Sequence, residues 1–215
     1  KQFAQQNGVA IDMPAGPSEV MVVADDAANP AFIAADLLSQ AEHGADSQVV
    51  LLSDSEELID GVETEINAQL KELSRADLAA ASLKYAKLIR VESDQFIDVI
   101  NEYAPEHLIL STRENQKLIN GIRNAGSVFI GDYTPESLGD YASGTNHTLP
   151  TNGFAKMHSG VSLDSFVKKI TFQKATKEGL TKLGPVVEEM AAAEELTAHK
   201  NAVTLRLKAI EDESN

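Results

Sequence analysis

Four of the five histidines in this chain lie near a carboxylate or carboxamide side chain. The four pairs are Gln40 with His43, Glu106 with His107, Asp140 with His147, and Glu194 with His199. Imidazole and carboxylate groups bind metal ions and carry protons near neutral pH, and an amide oxygen can complete a metal site. The pattern therefore predicts a divided metal and acid–base site. Only His158 lacks such a neighbour.

Gln40 and His43 are three residues apart near the end of a predicted helix, so their side chains share one helix face. Both can reach one metal ion or one substrate. The competing interpretation is a polar helix end with a solvated histidine. For this pair alone the competing interpretation is favoured, because an amide oxygen is an uncommon zinc ligand.

Glu106 and His107 are adjacent at the start of a predicted strand, directly after Pro105. They offer two proton carriers of different basicity. One group removing a proton from an alcohol, with the other activating water, suits an oxidation that passes through a hydrated aldehyde. A salt-bridged surface pair explains these two residues equally well.

Asp140 and His147 follow a predicted strand that ends at Ile130, in a segment rich in small and polar residues. Loops at strand ends often carry functional sites. Asp140 is a candidate metal ligand with His147 as a hydrogen-bonding partner. The alternative is a turn aspartate and an unrelated loop histidine.

Ser18, Glu194 and His199 are weaker candidates. The hydroxyl of Ser18 opens the first predicted strand after a Pro/Gly loop, where it either meets a ligand or closes a turn. Glu194 and His199 lie in a helical C-terminal segment, where a histidine between two helices is usually structural. If they belong to the site, this segment must fold over the body of the same chain or of a partner.

The elements that must position these residues alternate between strands and helices. Short Val/Ile/Leu-rich runs predict buried strands at residues 19–24, 48–53, 85–91, 107–110 and 127–130. Asn29 before Pro30 is typical of a helix start, with Gly44 placed to end that helix. Ser53 with Glu56 matches the spacing of a capping box. The predicted fold class is α/β.

The C-terminal part has a different character. Residues 163–172, 180–196 and 198–210 look helical, with no strand between them. We therefore predict an α/β body over residues 1–160 and a helical appendage over residues 161–215. Because two or three helices bury little apolar surface alone, the appendage is expected to pack on the body or, preferably, on another subunit.

Composition excludes several classes of partner. The chain has 33 acidic and 18 basic residues, a net charge of −15 that disfavours nucleic acid and anionic membranes. No apolar run approaches the roughly 20 residues of a membrane span. The absence of cysteine excludes disulfides and thiolate metal ligands, and we expect a cytoplasmic protein.

Five ordered motifs resemble the histidinol dehydrogenase family. They are residues 12–19, 36–44, 104–107, 139–147 and 196–205. The resemblance implies a zinc enzyme that oxidises L-histidinol to L-histidine through L-histidinaldehyde, with two successive hydride transfers to NAD. This is the last step of histidine biosynthesis.

The resemblance also implies a role for each candidate residue. The implied zinc ligands are Gln40, His43, Asp140 and His199, all of which also face the substrate. His107 resembles the base for the alcohol and a substrate contact, and Glu106 resembles the group that activates water. Ser18, His147 and Glu194 would line the substrate pocket. Reasoning from the residues alone favours Glu106 over Gln40 as a metal ligand.

Family chains are considerably longer, and this chain resembles their C-terminal half. We therefore expect an incomplete Rossmann-like sheet, with most NAD-binding residues in an N-terminal segment; the first residue, Lys1, is consistent with sequence upstream. The appendage resembles the family's dimerisation tail, which would carry Glu194 and His199 into the neighbouring subunit's site of a homodimer. The alternatives are a non-catalytic fragment that binds zinc and dimerises, and a zinc hydrolase in which Glu106 activates water.

Overall fold

The computed structural model describes residues 2–14 and 16–214. The chain divides into two compact units, one ending at Val167 and the other starting at Lys168. The assignment of residues 1–160 to a catalytic body and of residues 161–215 to a dimerisation tail stays a prediction. Within the described residues, no helix has the length and apolar character needed to cross a membrane.

The first unit contains a five-stranded parallel sheet. Its strands are β1 (Glu19–Ala24), β2 (Gln48–Ser53), β3 (Lys87–Arg90), β4 (His107–Ser111) and β5 (Ser127–Ile130). Their order in the sheet is β3-β2-β1-β4-β5. The central strands are buried along nearly their whole length, as expected for parallel strands covered on both faces. The predicted α/β class with a Rossmann-like sheet is confirmed.

Helices flank this sheet. In the described part of the first unit they are α1 (Gln2–Gln6), α2 (Pro30–Ala41), α3 (Glu56–Gln69), α4 (Ala76–Leu83), α5 (Phe96–Tyr103), α6 (Asn115–Ile119) and α7 (Glu136–Tyr141). The side chain of Asn29 caps α2 by accepting a 3.0 Å bond from the N–H of Ala31. The predicted cap of α3 is wrong: Ser55, not Ser53, accepts the bond from the N–H of Leu58.

The core has two layers, one on each face of the sheet. Along β1, Val20 and Val22 pack towards the cluster that includes α2 and α3, whereas Met21 and Val23 pack towards the cluster that includes α5. This alternation follows from the two-residue repeat of a strand. The side chains of β1 are therefore fixed from both sides, which holds its first residue, Glu19, in place.

The second unit is a pair of helices, α8 (Lys177–Ala193) and α9 (Thr197–Ser214). A Cβ at Gly184 would lie only 2.9 Å from the side chain of Leu207, so the two helices approach closely there. The predicted helix over residues 163–172 is wrong, because only a 3₁₀ turn, Leu163–Phe166, forms. Ile170 and Phe172 in this segment are exposed, so no apolar packing supports a helix there.

Strand β3 is also shorter than predicted. It begins at Lys87 rather than at residue 85, because the N–H of Tyr85 still bonds to the carbonyl of Ser82 at the end of α4. The central strands keep their predicted starts. The register pairs Val20 of β1 with His107 of β4, so the amino ends of these two strands lie side by side. The candidate site is built at the amino ends of these central strands.

Candidate active site

Glu106 and His107 lie at the amino end of β4, and both are buried, with 6% and 4% of their surfaces exposed. They are therefore not a surface salt bridge. Nδ1 of His107 lies 3.5 Å from Oε2 of Glu106. The sequence predicted this pair correctly as neighbours at a strand start but could not determine their burial.

The backbone of Glu19 holds both groups. Its N–H donates to Oε2 of Glu106 at 2.9 Å, and its carbonyl oxygen lies 3.0 Å from Nδ1 of His107. A carbonyl only accepts hydrogen bonds, so this contact assigns the hydrogen of the neutral imidazole to Nδ1. Nε2 of His107 then carries the lone pair.

Nε2 of His107 is buried and has no hydrogen-bond partner among the described residues. The oxygen Oδ1 of Asp140 lies 3.8 Å away, beyond hydrogen-bond distance. A buried polar atom is normally paired, and an exception of this kind is expected where a ligand binds. This nitrogen is therefore available to accept a proton.

The protonation behaviour of the two groups differs. Burial raises the pKa of Glu106 to about 7; the bond from the Glu19 N–H opposes the rise, and the nearby charges of Glu19 and Asp140 add to it. Burial lowers the pKa of His107, although its bond to the Glu19 carbonyl and the charge of Asp140 oppose this effect. His107 is thus a neutral base, while Glu106 changes protonation near neutral pH.

Further acidic side chains surround this pair. Glu136 of α7 is 2% exposed, and burial, followed by repulsion from Asp140, Glu106 and Asp36, raises its pKa to about 9. No lysine or arginine is among the buried residues that the structure describes. Buried carboxylates without a nearby protein cation favour binding of a metal ion, which would supply the missing positive charge.

Two of these acidic side chains, Glu136 and Asp140, form a group suited to a metal together with His43. One ligand atom each of His43, Glu136 and Asp140 lies within 4.8 Å of the others. Gln40 is fully buried beside them, and hydrogen bonding places its amide nitrogen 2.8 and 3.1 Å from the two oxygens of Glu136. Imidazole and carboxylate are ordinary zinc ligands, so this donor set fits zinc.

The structure thus brings together Gln40, His43 and Asp140, three of the four ligands that the resemblance implies. Glu106, which reasoning from the residues favoured as a ligand, is instead bonded to the Glu19 N–H. Asp140 is on the short helix α7 rather than in a loop.

The remaining candidates have different positions. Ser18 and His43 line an open cleft of about 450 Å³ that also includes Gly44. His147 is exposed, and its charge contributes to lowering the pKa of His107, so it lies near the pair. Glu194 and His199 belong to the second unit, where Glu194 follows α8 and His199 is in the first turn of α9. Their part in the site stays a prediction.

Sequence reasoning missed Glu19 and Glu136. Glu19 is a charged residue at the head of an apolar strand, and a bond of 2.6 Å from the N–H of Asn152 to its carboxylate stabilises it there. Glu136 is four residues before Asp140, which places both on one face of α7. That spacing was a usable signal, but it depends on predicting a helix of only six residues.

The chain is similar to known proteins over nearly its whole length. The family model described as histidinol dehydrogenase matches residues 1–207. Histidinol dehydrogenase of Bacteroides thetaiotaomicron is 59% identical over 211 residues, covering 98% of this chain and 49% of the relative. The corresponding protein of Xylella fastidiosa is 56% identical over 208 residues, covering 96% and 48%.

A solved structure gives the same result. The crystal structure of histidinol dehydrogenase from Elizabethkingia anophelis matches with a TM-score of 0.95 and 57% identity, covering 98% of this chain and 49% of that chain. The chain spans about half the length of the curated relatives it matches. A match that extends over nearly the whole chain, at this level of identity, shows that the chain belongs to the histidinol dehydrogenase family.

Proposed function

We propose that the protein containing this chain oxidises L-histidinol to L-histidine through L-histidinaldehyde, with NAD as hydride acceptor and zinc as bound metal. This would be the last step of histidine biosynthesis, in the cytoplasm. The observation that carries the proposal is Nε2 of His107, a buried and unpartnered basic nitrogen beside a group of metal-ligand side chains. Family membership supports the choice of substrate.

His107 is the base in the first oxidation. Its Nε2 takes the proton of the substrate hydroxyl while the carbinol carbon gives a hydride to NAD, and the carbon becomes an aldehyde. The Glu19 carbonyl keeps the other ring nitrogen protonated and the ring oriented. A base held in position by backbone needs little reorganisation during the reaction.

Glu106 acts at the aldehyde stage. Its pKa of about 7 leaves much of it ionised at neutral pH, so it can remove a proton from water as the water oxygen attacks the aldehyde carbon. The resulting hydrate is again an alcohol. A second hydride transfer to NAD, with loss of the hydroxyl proton to a base of the site, gives the carboxylic acid.

The metal site in this proposal consists of Gln40, His43 and Asp140, with His199 as fourth ligand. When bound, zinc supplies positive charge that orients the amino and imidazole nitrogens of the substrate. Ser18, His147 and Glu194 line the pocket in the same proposal. The tail delivers Glu194 and His199 to the site of a second copy in a homodimer. Most NAD contacts come from the N-terminal half of the family chain.

The test is the His107→Asn variant in the full-length protein, with NADH formation from L-histidinol followed by absorbance. We expect kcat to fall by about 10²- to 10⁴-fold, the usual contribution of a general base. His158→Asn is the matched control, because His158 packs against Phe154 and lies outside the group of candidates. It should keep the wild-type rate.

A wild-type rate in His107→Asn would contradict the proposed mechanism. Zinc binding by the wild-type protein without NADH formation would instead favour the non-catalytic, zinc-binding alternative. Release of a hydrolysis product without NAD would favour the hydrolase.

A further inference from the structure

Glu136 is a buried carboxylate for which the proposed mechanism has no use. Its side chain is 3% exposed, and its Oε1 lies 3.9 Å from Nδ1 of His107. Both of its oxygens face one group, the carboxamide nitrogen of Gln40, at 2.8 and 3.1 Å. Gln40 is itself fully buried. The contact is therefore a shielded hydrogen bond between the Glu136 carboxyl group and the Gln40 amide. A cation bound beside it would lower the pKa of Glu136 and keep this group an ionised, acceptor-only carboxylate.

This contact determines which end of the Gln40 amide faces Glu136 and which end points away from it. An amide has a donor end and an acceptor end of nearly the same shape, and only the oxygen end can bind a cation. With the nitrogen directed to Glu136, the oxygen lies on the side that faces only hydrogen-bond donors. Without an acceptor at position 136, the amide nitrogen would lose the group that holds it in this orientation.

Glu136 is also close enough to His43 and Asp140 to be a metal ligand itself. One observation favours a different role. Both oxygens of Glu136 contact the Gln40 amide nitrogen, so this carboxyl group is directed at Gln40.

We propose that Glu136 is a positioning residue, which orients the Gln40 amide so that its carbonyl oxygen can bind the metal. The inference rests on the proposed function, since it deepens the role of Gln40 as a ligand. Carboxylates have the same role beside metal-binding histidines. There, a carboxylate accepts a hydrogen bond from the ring nitrogen that does not bind the metal and so fixes the orientation of the ligand. Loss of such a partner typically weakens metal binding by about 10- to 100-fold.

The experiment measures the dissociation constant of zinc by chelator competition in the full-length protein. Glu136→Gln keeps the shape of the side chain, but its new amide can donate to the Gln40 oxygen and turn the Gln40 amide around. We expect zinc binding to weaken by about 10- to 100-fold. Asp36→Asn is the matched control, because Asp36 also acts on Glu136 through its charge but does not accept a bond from the Gln40 amide nitrogen. Its effect should be several-fold smaller.

A double-mutant cycle shows whether Glu136 acts through Gln40. Gln40→Ala should weaken zinc binding, and adding Glu136→Gln in that background should change it by less than about 3-fold. The exchanged pair, Gln40→Glu with Glu136→Gln, restores one carboxylate and one amide in contact. It should bind zinc more tightly than Glu136→Gln alone, because glutamate is an ordinary zinc ligand. This rescue also shows that the fold tolerates a glutamine side chain at position 136.

Cobalt substitution supplies a spectroscopic readout that does not depend on activity. Loss of a direct ligand changes the geometry of the ion, whereas loss of a positioning residue leaves the ligand set intact. The visible spectrum of the Co²⁺ form of Glu136→Gln should therefore match that of the wild type at saturating metal. If Glu136→Gln alters the spectrum in band position and intensity, and alters it again when added to Gln40→Ala, the proposal is overturned and Glu136 is a ligand.

The outcomes separate this inference from the proposed function. If Gln40→Ala binds zinc like the wild type, the proposed metal site fails, and this inference fails with it. If Gln40→Ala weakens binding but Glu136→Gln does not, or if the two effects multiply in full, only the role of Glu136 is overturned.

Discussion

Gly126→Ala should disturb the acid–base pair without touching either side chain. A Cβ at position 126 would lie 2.5 Å from the carbonyl oxygen of Glu106 and 3.2 Å from Cβ of Leu149. Ordinary contact begins at 3.4 Å, so the backbones must separate by about 0.9 Å, the difference between 3.4 and 2.5 Å. Relaxation is restricted, because Gly126 N–H bonds to the carbonyl of Pro105 at 2.9 Å.

The expected magnitude has two parts. Overpacking of a rigid site costs about 1–3 kcal/mol of unfolding free energy. A displacement of about 1 Å in a reacting group can lower the rate by about 100-fold. Because the displaced atom belongs to Glu106 itself, we expect both effects in Gly126→Ala.

The assays are urea unfolding and NADH formation from L-histidinol. Gly179→Ala is the matched control, since the nearest atom to its new Cβ is the hydroxyl oxygen of Thr176 at 3.3 Å, in the first turn of α8. It should be neutral or stabilising by up to about 1 kcal/mol. If Gly126→Ala keeps both wild-type stability and wild-type kcat/KM, the close backbone approach does not position the pair.

Two further predictions concern pH. Burial raises the pKa of Asp25, but hydrogen bonds from Arg113 and Ala27 outweigh burial and lower this pKa below 3.8. These bonds to the ionised Asp25 therefore stabilise the fold above pH 3.8, and the stabilisation is lost as pH falls through the folded-state pKa. Asp25→Asn should lower the unfolding free energy at about pH 7, and this loss should shrink as the pH falls below 3.8 in urea titrations. The raised pKa of Glu106 gives the opposite pH dependence. Its contribution to the unfolding free energy is full below pH 4.5 and is lost as pH rises through about 7. Metal-free wild-type protein should therefore lose stability over this interval more steeply than Glu106→Gln, and equal slopes would contradict the assignment.

The parts of the fold that sequence reasoning predicted are those with strong local signals. The apolar run at β2, the strand start at His107 and the Asn29–Pro30 helix start all depend on neighbouring residues, and all three occur where predicted. The helix predicted after Leu163 does not form, because the spacing of apolar residues does not show whether a surface is present for them to pack against. Its apolar residues, such as Phe172, are exposed, so burial does not stabilise a helix there.

Prediction of the site had a different limit. Gln40, His43 and Asp140 were chosen correctly as neighbours through the resemblance, whereas Glu136 was missed. Its importance comes from a contact with Gln40, 96 positions earlier in the sequence, and no spacing rule reaches that far. The chemical roles of all these residues stay predictions.

The bonds from Glu19 to the acid–base pair come from its peptide groups, not from its carboxylate. Substituting side chains at position 19 would therefore leave these two bonds in place, and a scan of point mutations would underestimate the importance of the position. What the bonds require is the alignment of β1 with β4, in which Val20 pairs with His107. Inserting or deleting one residue within β1 would turn its side chains to the opposite faces and shift the peptide away from the pair. The pairing of β1 with β4 therefore fixes the positions of Glu106 and His107 relative to each other. A shift of this register would break both bonds and with them the arrangement that the chemistry needs.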